Sequence, residues 1–152
     1  MVSASFLRPG MFYSRPITEN YRLEIVKANG LNPLLRLLQS ADHDSICAAA
    51  SCVSNLTLQP AIFSPIIEAG FLQPLVNLLS WKDDEYLQLH AVKILCNLAV
   101  RPENRGAIVN AGAVQSIKEL ILEAPVGVRI KMTRCIENLS LSGMGPPFNR
   151  LL

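Results

Sequence analysis

Apolar side chains recur along this chain at the spacing of a helix face. Leu31, Leu34, Leu35 and Leu38 fall at i, i+3, i+4 and i+7, which lines them along one side of an α-helix. Leu72, Leu75, Val76 and Leu79 repeat that spacing, and Val114, Ile117 and Ile121 keep it, with Lys118 at the i+4 place. A second stripe follows each of these. Ala49, Cys52, Val53 and Leu56 match Ala91, Ile94, Leu95 and Leu98, then Met132, Cys135, Ile136 and Leu139. The pattern predicts three units, each with a short first helix, a middle helix and a longer third helix. Glu19 to Val26 and Glu103 to Val109 read as first helices. In the middle unit, Ser64-Pro65 reads as a capping serine with proline at the first helical position. Pro33 and Pro74 are expected at first helical positions of the middle helices, where a missing N–H costs nothing.

Whole segments are copied as well as faces. Gly30, Gly70 and Gly112 step by 40 and 42 residues, each just ahead of a middle helix. There a sharp turn that a Cβ would obstruct is expected. Asn55-Leu56-Thr57, Asn97-Leu98-Ala99 and Asn138-Leu139-Ser140 keep a similar beat. A period near 40 residues signals stacked helical units whose faces are buried only by their neighbours. The expected fold is all-α, an α-solenoid with units at 19–58, 59–101 and 102–141. Residues 1–18, with Arg8, Arg15 and no acid, read as a disordered leader. Residues 142–152, opening on Ser142-Gly143 and holding Pro146-Pro147, read as a tail.

Composition narrows the functional classes. Half of the 152 residues are hydrophobic, 6% are aromatic and the net charge is +2. That charge is too small for a nucleic-acid binder, which needs a basic stripe and a much higher isoelectric point. No apolar run approaches the roughly 18 residues of a membrane span. Four cysteines stand apart from any C-x-x-C pattern, consistent with a reduced intracellular protein. Cys52 and Cys135 share the place of Ile94 and are expected in the core, with Cys47 and Cys96 off that stripe. Enzyme chemistry finds no footing: there is no phosphate loop, serine elbow or H-E-x-x-H. His90 and Cys96 are six residues apart, a poor thiolate–imidazole pair on a helix. Asp42-His43-Asp44 lacks a nearby fourth ligand. No catalytic residue, cofactor or metal is expected.

Particular residues carry a family resemblance. Asn104-Arg105, then Ile108-Val109-Asn110-Ala111-Gly112-Ala113-Val114, together with Ala91-Val92-Lys93-Ile94-Leu95-Cys96-Asn97-Leu98-Ala99, resemble the armadillo repeat over about 120 residues. The resemblance implies a right-handed solenoid of about three armadillo repeats. More narrowly, Glu24 to Leu31, Leu34 to Ser40 and Ser64 to Leu72 with Pro74-Leu75-Val76 look like the later repeats of the fungal vacuolar armadillo-repeat family. That likeness implies a scaffold or adaptor peripheral to the vacuole membrane, acting in vacuole inheritance and fusion, nucleus–vacuole junctions and cytoplasm-to-vacuole targeting. Two other readings stand beside it: a truncated, non-functional fragment of a longer armadillo protein, and a nuclear-transport-like or other armadillo adaptor. That family anchors itself through an acylated N-terminal glycine and nearby cysteines. Here Val2 follows Met1 and no cysteine precedes Cys47. Contact with a membrane is therefore expected only indirectly, and a cytoplasmic location if the chain stands alone.

In armadillo proteins the third helices line a concave groove, and an asparagine near each helix end binds the backbone of an extended partner peptide. The matching positions are Asn55, Asn97 and Asn138. An amide offers both a donor and an acceptor, so it can pair with peptide C=O and N–H without reading side chains. Ser51, Lys93 and Arg134 stand four residues earlier, with Tyr86, His90 and Lys131 on the same faces. That surface is expected to be basic toward the third unit and to suit an acidic partner segment. Import receptors place tryptophan where Ser51, Lys93 and Arg134 stand, so a basic nuclear signal is not expected there.

Overall fold

The computed structural model describes residues 17–141, with side chains from residue 21. The expected leader and tail lie outside the described residues, except that Ile17 and Thr18 open the first helix. Among the described residues the fold is helical throughout. The first unit holds α1 (Ile17–Lys27), α2 (Leu31–Leu38) and α3 (His43–Leu56). The second holds α4 (Phe63–Glu68), α5 (Leu72–Leu79) and α6 (Glu85–Ala99). The third holds α7 (Pro102–Asn110), α8 (Ala113–Leu120) and α9 (Val126–Ser140).

Local chemistry sets these bounds. Asp42 caps α3 by accepting from the Ser45 N–H at 2.9 Å. Asp84 caps α6 in the same way, accepting from the Leu87 N–H at 2.9 Å. Pro125 precedes α9 and offers no side-chain cap. The prolines sit elsewhere than expected. Pro33 and Pro74 occupy the third helical position of α2 and α5, and Pro65 the third of α4. All three remain within the first turn, whose N–H groups have no intrahelical acceptor. Ser64 lies inside α4 and caps nothing, because a 3₁₀ turn over Pro60–Ile62 leads into that helix.

The glycine beat also resolves differently from the sequence pattern. Gly70 and Gly112 have φ of +90° and +88°. In the first unit the left-handed residue is Asn29, at φ +60°. Asn29 and Gly70 are equivalent: each closes a Schellman turn, with N–H bonds from Asn29 to Val26 and from Gly30 to Ile25, and from Gly70 to Ile67 and from Phe71 to Ile66. Gly30 has φ −69° and is glycine for another reason. A Cβ there would lie 2.8 Å from the Ile25 carbonyl oxygen.

The third helices stack side by side in the order α3, α6, α9, with each middle helix packed on its own third helix in the first two units. One continuous core runs from Leu31 to Leu139. Helix α6 is clasped between its two neighbours, and Leu87, Ala91, Ile94, Leu95 and Leu98 are wholly buried. Burying one such leucine contributes on the order of 1.5–3 kcal/mol. Both predicted stripes pack on this core, with Leu34, Leu35, Cys52, Ile121 and Ile136 only half-buried in the two outer units. Cys96, expected off the stripe, is 95% buried (5% exposed), because α9 covers the side of α6 that bears it.

Candidate functional site

The three asparagines stand at the ends of the stacked third helices, and their environments differ. Asn97 Nδ2 donates to Thr57 Oγ1 at 3.1 Å, one unit back. Asn138 Nδ2 donates to the Cys96 carbonyl at 3.2 Å, again one unit back, with Cys96 Sγ at 3.6 Å. Both are half-buried. Asn55 is exposed, and among the described residues its side chain has no hydrogen-bond partner. The amides therefore form a seam between successive units, a role the sequence pattern did not indicate. Their Oδ1 atoms have no partner among the described residues, so an acceptor remains for a ligand N–H.

Positive charge lies beside this seam. Lys93 and Lys131 are half-buried, and Arg134 is exposed. The thiol of Cys96 registers them: burial pushes its pKa up, while the Arg134 and Lys131 charges pull it back. Glu137 opposes them from the same helix. His90 is held below the ordinary imidazole value, first by burial and then by Lys93. Tyr86 packs against His90 at 4.5 Å between ring centroids, tilted by 57°. The His90 Nδ1 atom is buried without a hydrogen-bond partner. Ser51, at the equivalent place in the first unit, is half-buried and uncharged. The structure thus groups Tyr86, His90, Lys93 and Asn97 on α6 with Lys131, Arg134 and Asn138 on α9, while Ser51 and Asn55 continue the row on α3.

Two residues quoted only for their pattern have defined work. Asn104 Nδ2 donates to the Leu98 carbonyl at 3.0 Å. Arg105 Nε donates to the Ala99 carbonyl at 2.8 Å, and its Nη2 to the Val100 carbonyl at 3.2 Å. Both side chains are buried and satisfy the last carbonyls of α6, placing a cation at the negative end of its dipole.

Three-helix units stacked through their third helices define an α-solenoid repeat protein. The Armadillo/beta-catenin-like repeat pattern matches residues 18–58 and 63–100, and the chain belongs to that family. It is 49% identical over 125 residues to Vacuolar protein 8 of Schizosaccharomyces pombe, covering 82% of this chain but 23% of that protein. Among solved structures, computationally designed armadillo repeat proteins for modular peptide recognition superpose with a TM-score of 0.75 at 28% identity, covering 79% of this chain and 51% of theirs. A designed armadillo repeat protein in complex with the peptide (KR)4 gives a TM-score of 0.74 at 25% identity, covering 82% of this chain and 57% of that one. Among the described residues, no single helix is long and apolar enough to cross a membrane.

Proposed function

We propose that this chain is a non-enzymatic protein-binding module that takes up an extended partner segment along the row of third helices. The observation that carries the reading is the seam itself: the Asn97 and Asn138 amides, one unit apart, keep Oδ1 acceptors without partners among the described residues, and lie beside Lys93, Lys131 and Arg134. Family membership supports it, as does the peptide bound by a designed armadillo relative. That designed protein takes a basic peptide. Here lysine and arginine stand in the equivalent row, and like charges would repel such a ligand, so the partner segment carries Asp or Glu toward the third unit. By likeness to Vacuolar protein 8, the module works as a scaffold or adaptor at the vacuole membrane, held there peripherally and through partners, and serves vacuole inheritance and fusion, nucleus–vacuole junctions and cytoplasm-to-vacuole targeting.

Titration calorimetry with an acidic peptide tests the groove. Lys93→Glu combined with Arg134→Glu should weaken binding by about 0.2–1 kcal/mol for each exposed pair lost. Ser64→Glu, on an exposed residue of α4, should leave affinity unchanged. Equal affinity of the wild-type and the double variant would place the binding surface elsewhere. A pull-down comparing wild-type with Asn97→Ala gives the complementary test with native partners.

A further inference from the structure

The fold gathers three different metal-binding side chains from two repeats at one point. His43 opens α3, and Cys47 follows one turn later on the same face. Asp84 reaches over from the start of α6. His43 Nε2 lies 2.5 Å from Asp84 Oδ2, and Cys47 Sγ lies 3.7 Å from both imidazole nitrogens. All three ligand atoms fall within 4.8 Å of one another. In sequence His43 and Cys47 are 41 and 37 residues from Asp84, so only the stacking of repeats brings them together.

We propose that His43, Cys47 and Asp84 form a site for a divalent cation of borderline softness, with Zn²⁺ as the best-matched ion. One nitrogen, one sulfur and one oxygen donor suit zinc, with water in the fourth position. The supporting contacts fit as well. The other oxygen of Asp84, Oδ1, is fixed by the Leu87 N–H at 2.9 Å, which aims Oδ2 at His43. The His43 ring stacks on Trp81 at 6.4 Å between centroids. Asp44 Oδ1 lies 3.8 Å from His43 Nδ1, the ring nitrogen that Asp84 does not bond. Asp42, Asp44, Asp83 and Glu85 surround the site in sequence, while the nearby Lys82 amine is engaged by Glu123 at 2.8 Å. The local field therefore favours a cation and keeps the Cys47 thiol protonated in its absence: burial, Asp84 and Asp44 all raise its pKa.

Binding replaces a proton with a metal. The Cys47 S–H proton passes to the solvent, as does one imidazolium proton when His43 is charged; a neutral ring keeps its proton on Nδ1, beside Asp44 Oδ1, and frees Nε2 for the metal. Sγ, Nε2 and Oδ2 then replace three waters of the six-coordinate hydrated ion, two more waters leave as it becomes four-coordinate, and one stays in the fourth position. The His43–Asp84 hydrogen bond opens slightly to admit it, and the metal ties α3 to the start of α6.

Titration of the reduced full chain with Co²⁺ gives a direct readout. The expected result is one equivalent bound, with a thiolate-to-cobalt charge-transfer band in the near ultraviolet and intense visible bands of a four-coordinate ion. Cys47→Ser should abolish the charge-transfer band. His43→Gln and Asp84→Asn should each weaken binding 10- to 100-fold or more, as loss of a ligand requires, whereas Cys52→Ser should leave the titration unchanged. Zn²⁺ should displace the cobalt and bleach the spectrum. No charge-transfer band at excess Co²⁺, or a band that survives Cys47→Ser, overturns the proposal. Circular dichroism of each variant without metal separates a lost ligand from a lost fold.

Discussion

Asn138 donates to the Cys96 carbonyl at the joint between the second and third units. Asn138→Ala should cost about 0.5–1.5 kcal/mol, read as a shift in the urea midpoint with an unchanged slope. Gly70 sits at φ +90° with open space where a Cβ would go. Gly70→Ala should therefore cost about 1–2 kcal/mol through backbone strain alone. His43 brings a pH dependence. Its hydrogen bond to Asp84 raises its pKa above the ordinary imidazole value, so the folded chain holds the proton more tightly than the unfolded one. The resulting stabilisation is complete below about pH 6.5 and fades as pH rises through the raised value. His90, held low by burial, contributes with the opposite sign. In metal-free buffer, His43→Gln should remove the stabilisation on the acid side and leave the His90 trend; an unchanged pH profile would show that the His43–Asp84 bond does not persist in solution. At this scale the sequence identified the asparagines by their beat. It did not show that the Nδ2 atoms of Asn97 and Asn138 are engaged, because Thr57 and the Cys96 carbonyl lie 40 and 42 residues away.

At the scale of single helices, periodicity located the middle helices and the ends of the third helices to about a residue, but not the third-helix starts, which lie well ahead of each stripe. Leu31, Leu72 and the three asparagines fall where the repeats of Leu, Ile and Val indicate. The first helices were less legible. They are short, and α7 carries little amphipathic contrast, since Asn104 and Arg105 occupy buried places. Their polarity is explained by the carbonyls of α6 rather than by solvent. Arg105→Met should leave two α6-terminal carbonyls without their donors and cost about 1–3 kcal/mol in chemical denaturation. The glycine register misled because Gly30 and Gly70 serve different needs, one a close approach to Ile25 and the other a left-handed turn. The proline step, Pro33 to Pro74, and the leucine step, Leu31 to Leu72, carried the true equivalence.

Across the whole molecule, α6 is the keystone, with α3 on one side and α9 on the other. Leu95→Ala, deep in that layer, should destabilise by about 2–5 kcal/mol and be felt by all three units together, since each buries its stripe against the next. Fluorescence of Trp81 and far-ultraviolet circular dichroism should then report one shared transition, shifted as a whole. The array was readable from the period, but the His43–Cys47–Asp84 cluster was not: Asp42-His43-Asp44 is visible as a string, whereas the residue that meets His43 in space is Asp84, supplied by the following repeat. The amide seam has a mechanical consequence. Asn97 and Asn138, which the proposed groove would use to hold a ligand, are also the rivets between adjoining turns. A ligand carbonyl competing for an asparagine Nδ2 would slacken that rivet, so grip and curvature are coupled, and the spring's stiffness depends on what it holds.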